Sequence, residues 1–109
     1  MRNPEREIDA LLRWVMSVLI KLLEVCHDED RTRGVAIATL SALMPSRNPR
    51  LDGSLSRIDA DQQMEIRARL SGIRTVIRKL LSSATNPDLS KSLTTAAVDR
   101  IRESVMAGK

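Results

Sequence analysis

The stretch Leu11–Cys26, LLRWVMSVLIKLLEVC, decides how this chain folds. It holds the only Trp and the only Cys of the sequence, and apolar residues surround most of it when they are placed on a helix. The polar strip is narrow and consists of Arg13, Ser17, Lys21 and Glu24. A peripheral helix needs an apolar stripe over roughly a third to a half of its circumference, whereas this arc covers about two-thirds. We therefore expect this helix to lie at the centre of a bundle or of a dimer.

Further helices follow along the chain. Asn3 and Pro4 are suited to the N-cap and first helical position, which starts the first helix. Apolar spacing and stop signals predict helices over residues 4–27, 31–44, 59–83 and 88–107. Residues 45–58 contain two prolines and a glycine and are expected to form a basic loop. The predicted fold is all-α: one domain, a small bundle of three to four helices completed by homodimerisation.

The composition restricts both the core and the partners. Hydrophobic residues make up 42% of the 109 residues, yet Phe and Tyr are missing, so the core must be aliphatic, as suits helices packed on helices. The lack of rings also argues against a platform that stacks single-stranded bases. Residues 1–30 hold four basic and seven acidic side chains, a net charge of −3, and residues 31–109 hold fourteen and seven, a net charge of +7. Recognition of an anionic partner is therefore expected in the later part.

The third predicted helix carries a heptad-like apolar seam, which we expect to pack along Leu11–Cys26. Together with the apolar surface of the first helix, this seam predicts a dimer or partner interface. The residues assigned to that interface are Trp14, Val15, Val18, Leu22, Ile66, Leu70, Ile73 and Ile77.

A row of arginines flanks the same seam. Arg67, Arg74 and Arg78 fall on one side of the third predicted helix, one or two turns apart, where guanidinium groups can meet successive phosphates. Arg47, Arg50 and Arg57 of the predicted loop are expected to extend this surface. The pattern favours a non-enzymatic dimer that binds double-stranded RNA or DNA without reading its sequence. The competing interpretation of the row is a solvated helix flank whose arginine stems cover the edge of the core.

A second function fits the sequence as well. The apolar face of the first helix suits a protein-interaction module, such as an adaptor, an antagonist or a small chaperone. In size and charge the chain is comparable to small dimeric helical RNA-binding proteins of viruses, an analogy of architecture that assigns no residue. The expected partners are therefore a second copy, nucleic acid or another protein.

The sequence gives no support for a catalytic or metal-binding site. Residues 26–30 include Cys26, His27 and three acidic side chains, but their spacing matches no established zinc or calcium site. We expect no catalytic residue, metal, cofactor or small-molecule substrate. The stretch Leu11–Cys26 is shorter than the ~20 residues of a membrane span and contains charges. With a single Cys, which excludes an internal disulfide, a reducing cytoplasmic location is expected.

Overall fold

The computed structural model describes residues 3–106, and all regular secondary structure in this range is helical. The five helices are α1 (Pro4–Val25), α2 (Glu29–Leu43), α3 (Pro49–Ser56), α4 (Ala60–Ser82) and α5 (Pro87–Met106). The all-α prediction is confirmed. The long helices α1, α2, α4 and α5 match the four predicted helices within a few residues at each end.

The helices begin where short polar side chains can accept a hydrogen bond from the first turn. In α1 the Asn3 side chain accepts from the backbone N–H of Glu5 at 2.9 Å, and in α4 Asp59 accepts from Gln62 at 2.9 Å. Asp28 caps α2 in the same way, which is why that helix begins two residues earlier than predicted. The starts of these helices are therefore determined locally by the sequence.

The short helix α3 corrects the prediction of a loop over residues 45–58. Asn48 accepts a hydrogen bond from the N–H of Leu51 at 3.3 Å, and Pro49 occupies the first helical position. Proline is well tolerated there because its missing N–H would have had no partner. Leu51 and Leu55, one turn apart, are both buried in the core. Two apolar positions are too few to indicate a helix by their spacing. The prolines and the glycine of this segment instead indicate a loop.

The four long helices form an antiparallel bundle. Helix α1 packs against α2 and α5, and α4 packs against the same two helices, so α1 and α4 lie at opposite corners. At one end, a hydrogen bond of 3.4 Å from Arg69 Nη1 to the carbonyl of Ser104 links the first half of α4 to the end of α5. The expectation that α4 would pack along Leu11–Cys26 is therefore wrong, because the main contacts of α4 are with α2 and α5, and α1 and α4 meet only across a groove near Leu12 and Ile66.

Helix α1 buries its broad apolar face within a single chain. Its buried side chains face three neighbouring helices, α2, α3 and α5, and are Ile8, Leu12, Val15, Leu19 and Leu22. The short α3 lies beside the first part of α1, near Ile8 and Leu11. The width of the apolar arc is therefore satisfied by three neighbours and does not require a second copy. Homodimerisation remains a prediction.

Most of the side chains assigned to a dimer or partner interface lie in this core. Five of the eight are at most 1% exposed, namely Val15, Leu22, Leu70, Ile73 and Ile77. They have no surface to offer a partner unless the bundle opens. Val18 and Ile66 are half-buried, whereas Trp14 is 51% exposed. Within residues 3–106, no helix combines the length and hydrophobicity that a bilayer-spanning segment requires.

Candidate nucleic-acid interface

The strongest concentration of one charge sign lies on α4. After Glu65 this helix contains no acidic residue up to its end at Ser82. The same segment carries five basic side chains, which are Arg67, Arg69, Arg74, Arg78 and Lys79. Its outward surface is otherwise formed by exposed small residues, among them Ala68, Ser71 and Thr75. A surface of low relief with uncompensated positive charge is suited to close approach by an extended anion.

Arg67 and Arg78 are exposed on this face. Neither forms an ion pair with a carboxylate of the described chain, whereas Arg31, Arg33, Arg57, Arg69 and Arg102 all do. Arg6, Arg13, Arg47, Arg50 and Arg100 also form no ion pair within the described residues, so what distinguishes Arg67 and Arg78 is their shared position on one face of α4. We refer to Arg67, Arg74 and Arg78 as the α4 arginine row.

Arg74, between the other two, is half-buried against α2. Its Nη1 atom donates a hydrogen bond of 2.9 Å to the carbonyl oxygen of Leu43. Burial lowers the pKa of Arg74 below its ordinary value, and the positive charges of Arg78 and Arg67 lower this pKa further. The three charges of the row therefore act on one another, as the sequence spacing predicted. No nearby carboxylate in the described chain relieves the repulsion.

The two other basic residues of this segment have different surroundings. Arg69 forms an ion pair of 2.7 Å with Glu65 and contacts the backbone of α5, so it belongs to the α4–α5 seam. Lys79 is exposed and lies with Arg78 beside a shallow depression whose apolar floor is Leu89 and Leu93. Lys79 was not among the predicted site residues, although the absence of acidic residues after Glu65 could have pointed to it.

The arginines of residues 45–58 do not all extend the row. Arg57 forms an ion pair of 2.9 Å with Glu7 of α1, and Arg50 lines a groove between α1 and α3. Both are therefore grouped with α1, which lies at the corner opposite α4. Arg47 is exposed in the turn before α3. The arginine row is gathered on one face as predicted, but Arg50 and Arg57 are not brought to it.

Metal-binding side chains are not clustered in the described part of the chain. Residues 3–106 contain no group of three or more His, Cys, Asp or Glu side chains that could hold an ion. Cys26 is buried, and its Sγ lies 3.5 Å from the carbonyl oxygen of Leu23. It packs as a small apolar residue at the end of α1.

Comparison with known proteins adds no relative: the chain matches no family model, and no curated protein or solved structure is significantly similar to it.

Proposed function

We propose that the chain binds double-stranded nucleic acid through the outer face of α4, by contacts to the phosphate backbone and not to the bases. The observation that carries this proposal is the α4 arginine row, where exposed Arg67 and Arg78 lack a carboxylate partner among the described residues. Phosphate groups would supply the missing counter-charge. Arginine suits this role because its planar fork can bind phosphate through two parallel hydrogen bonds.

The spacing of the row suits a regular polyanion. Arg78 lies eleven positions after Arg67, which places them on one side of α4 and about 16 Å apart along its axis. A duplex carries one phosphate charge per ~1.7 Å of its axis, so the two ends of the row can reach different phosphates. These contacts do not require the helix to enter a groove.

The face between these arginines favours shape recognition. Ser71 and Thr75 are exposed and short, so a phosphodiester backbone can approach the helix closely. Trp14, the only aromatic residue, lies on α1 at the opposite corner, where it cannot stack on bases bound at α4. Sequence-independent binding is the result expected from such a surface. RNA and DNA duplexes are distinguished by their form and by the 2′-hydroxyl, so both are tested.

Homodimerisation through α1 would not cover this face. Because α1 and α4 make few direct contacts, a dimer formed through the exposed flank of α1 would leave both α4 helices outside the interface. Nucleic-acid binding by a single α4 face does not depend on this arrangement.

The proposal is tested by fluorescence anisotropy with a labelled RNA duplex and a labelled DNA duplex over a salt series. The variant Arg67→Ala/Arg78→Ala should bind at least tenfold more weakly, and its slope of log affinity against log salt should fall by about 2. The matched control is Arg31→Ala/Arg102→Ala, which removes the same charge from two ion-paired arginines.

The control should stay within about threefold of the natural chain. Equal losses in both variants would show that only net charge matters. Binding that does not depend on salt would contradict phosphate recognition altogether.

A further inference from the structure

An apolar edge runs along α1 on the side that faces α2 and α3. At its first end is a groove of about 310 Å³ between α1 and α3, lined chiefly by Ala10, Leu11 and Leu51. At its other end is a shallow groove between α1 and α2, lined by Val18, Val25 and Val35. We call the surface from Leu11 to Val25 the α1 edge. The fourteen steps from Leu11 to Val25 correspond to about 21 Å of helix, or roughly four turns.

Trp14 stands between the two grooves. It follows Leu11 by three residues and precedes Val18 by four, so all three lie on one flank of α1. Its side chain is 51% exposed, although Trp is the largest apolar side chain of the protein. Large aromatic residues beside apolar pockets are the usual energetic centres of protein interfaces. The edge therefore has the form of a binding surface with a central anchor.

The charges that border the edge favour an acidic partner. Arg50 lines the groove at the α3 end, and Lys21 lines the groove at the α2 end. Both are exposed, and neither forms an ion pair with a carboxylate of residues 3–106. The carboxylate of Glu7 at the first groove already accepts hydrogen bonds from Arg57 and Ser54. Glu24 lines the same groove as Lys21, one helical turn further along α1.

We propose that the α1 edge binds an acidic amphipathic helix of another protein. Apolar side chains of that helix, spaced by three or four residues, would enter the two grooves on either side of Trp14. Its carboxylates would lie against Arg50 and Lys21. The anchors of a helix laid into a groove, at i, i+3, i+4 and i+7, span about two turns, which the edge is long enough to hold.

This inference does not rest on nucleic-acid binding. The α1 edge and the α4 arginine row share no residue and lie on different helices, which make few direct contacts with each other. Loss of one activity by a variant at one corner should leave the other unchanged. A chain with both surfaces would join a protein to a nucleic acid.

The sole Trp provides the measurement, because all tryptophan fluorescence of the protein comes from the edge. Two synthetic helices are the probes: a Leu/Glu amphipathic peptide and a Leu/Lys peptide with the same leucine pattern. The Leu/Glu peptide should shift the Trp14 emission to shorter wavelength in a saturable manner. The Leu/Lys peptide should bind at least tenfold more weakly.

The charge-reversal variant Arg50→Glu/Lys21→Glu should weaken Leu/Glu binding at least tenfold and strengthen Leu/Lys binding. The matched control Arg31→Glu/Arg102→Glu reverses two charges elsewhere and should retain the preference, with helix content checked by circular dichroism. Failure of the Leu/Glu peptide to shift the emission, or equal binding of both peptides, would overturn the proposal. It would also be overturned if sedimentation showed a dimer in which Trp14 is shielded from a soluble quencher, since a second copy would then cover the edge.

Discussion

The Nη1 atom of Arg74 donates a hydrogen bond of 2.9 Å to the carbonyl oxygen of Leu43, the last residue of α2. The last carbonyls of a helix have no partner within the helix, and a cationic donor satisfies both the oxygen and the negative end of the helix dipole. Arg74 therefore stabilises the contact between α2 and α4 as well as adding charge to the α4 face. The two neighbouring arginines of the row have no such role.

This difference predicts unequal stabilities for three alanine variants. Arg74→Ala should lower the free energy of unfolding by about 1–2 kcal/mol, because a hydrogen bond to a charged donor is lost. Arg67→Ala and Arg78→Ala should change it by less than about 0.5 kcal/mol, as is usual for exposed positions. Urea denaturation followed by circular dichroism measures all three. Equal destabilisation by the three substitutions would contradict the assigned role of Arg74.

The two hydrogen bonds of the Asn48 side chain predict that substitutions at this position lower the free energy of unfolding. Its side-chain N–H donates to the carbonyl of Ala42 at 2.7 Å, and its oxygen accepts from the N–H of Leu51, so it joins the end of α2 to the start of α3. Asn48→Ala should cost about 1–2 kcal/mol, the usual range for an N-cap. Asn48→Asp keeps the accepting oxygen but loses the donor, and its cost should fall between zero and that of Ala. The measurement is the midpoint of urea denaturation, compared between proteins whose unfolding free energy depends equally on urea concentration. If Asn48→Ala left this midpoint unchanged, Asn48 would not hold α3 in place.

The elements readable from the sequence are those whose causes are local. Capping residues and long apolar periods determine the four long helices, and the spacing of Arg67, Arg74 and Arg78 places them on one flank whatever α4 packs against. These features depend on positions within one helix. The positive charge of the α4 face follows from the same local information.

The parts that could not be predicted depend on which helices meet. A wide apolar arc on α1 is equally consistent with a second copy and with three neighbours, and only the position of α3 over α1 shows that three neighbours can bury it. Likewise Ile66, Leu70 and their neighbours form a heptad seam that could face another chain or the core. Arg57 was assigned to the basic surface because its partner, Glu7, lies 50 residues away in the sequence and cannot be recognised by spacing.

Two helical glycines predict stabilising substitutions of different size. A Cβ at Gly34 in α2 would meet no atom within 4 Å, so Gly34→Ala should gain the full helix-propensity difference of about 1 kcal/mol. A Cβ at Gly72 in α4 would lie 2.5 Å from Nη1 of Arg100, so Gly72→Ala requires this flexible side chain to move and should gain less. In an Arg100→Ala background the gain at Gly72 should approach that at Gly34. Denaturant titration of the natural chain and the four variants tests this, and an identical gain at Gly72 in both backgrounds would show that Arg100 does not limit it.

A buried hydroxyl predicts a stabilising change in the core. Thr39 is fully buried in α2, and its Oγ1 has no hydrogen-bond partner. An unsatisfied buried polar group costs about 1–3 kcal/mol, so Thr39→Val should raise the free energy of unfolding by about 1 kcal/mol. Thr94 is the matched control, because it is equally buried but donates to the carbonyl of Ser90 at 2.7 Å. Thr94→Val should bring no gain in thermal or urea denaturation, and a similar gain at both positions would mean that hydrophobicity alone is responsible.

The mutual repulsion within the α4 arginine row predicts a specific response to small phosphates. An anion that binds the folded protein raises its melting temperature by mass action, and the row offers positive charge that no described carboxylate neutralises. Pyrophosphate should therefore raise the melting temperature more than chloride does at equal ionic strength. The difference between the two anions should fall by at least half in Arg67→Ala/Arg78→Ala and persist in Arg31→Ala/Arg102→Ala. General exclusion of phosphate from the protein surface would stabilise all three proteins alike. An equal response in the row variant and the control would therefore show that the row is a solvated flank without affinity for phosphate.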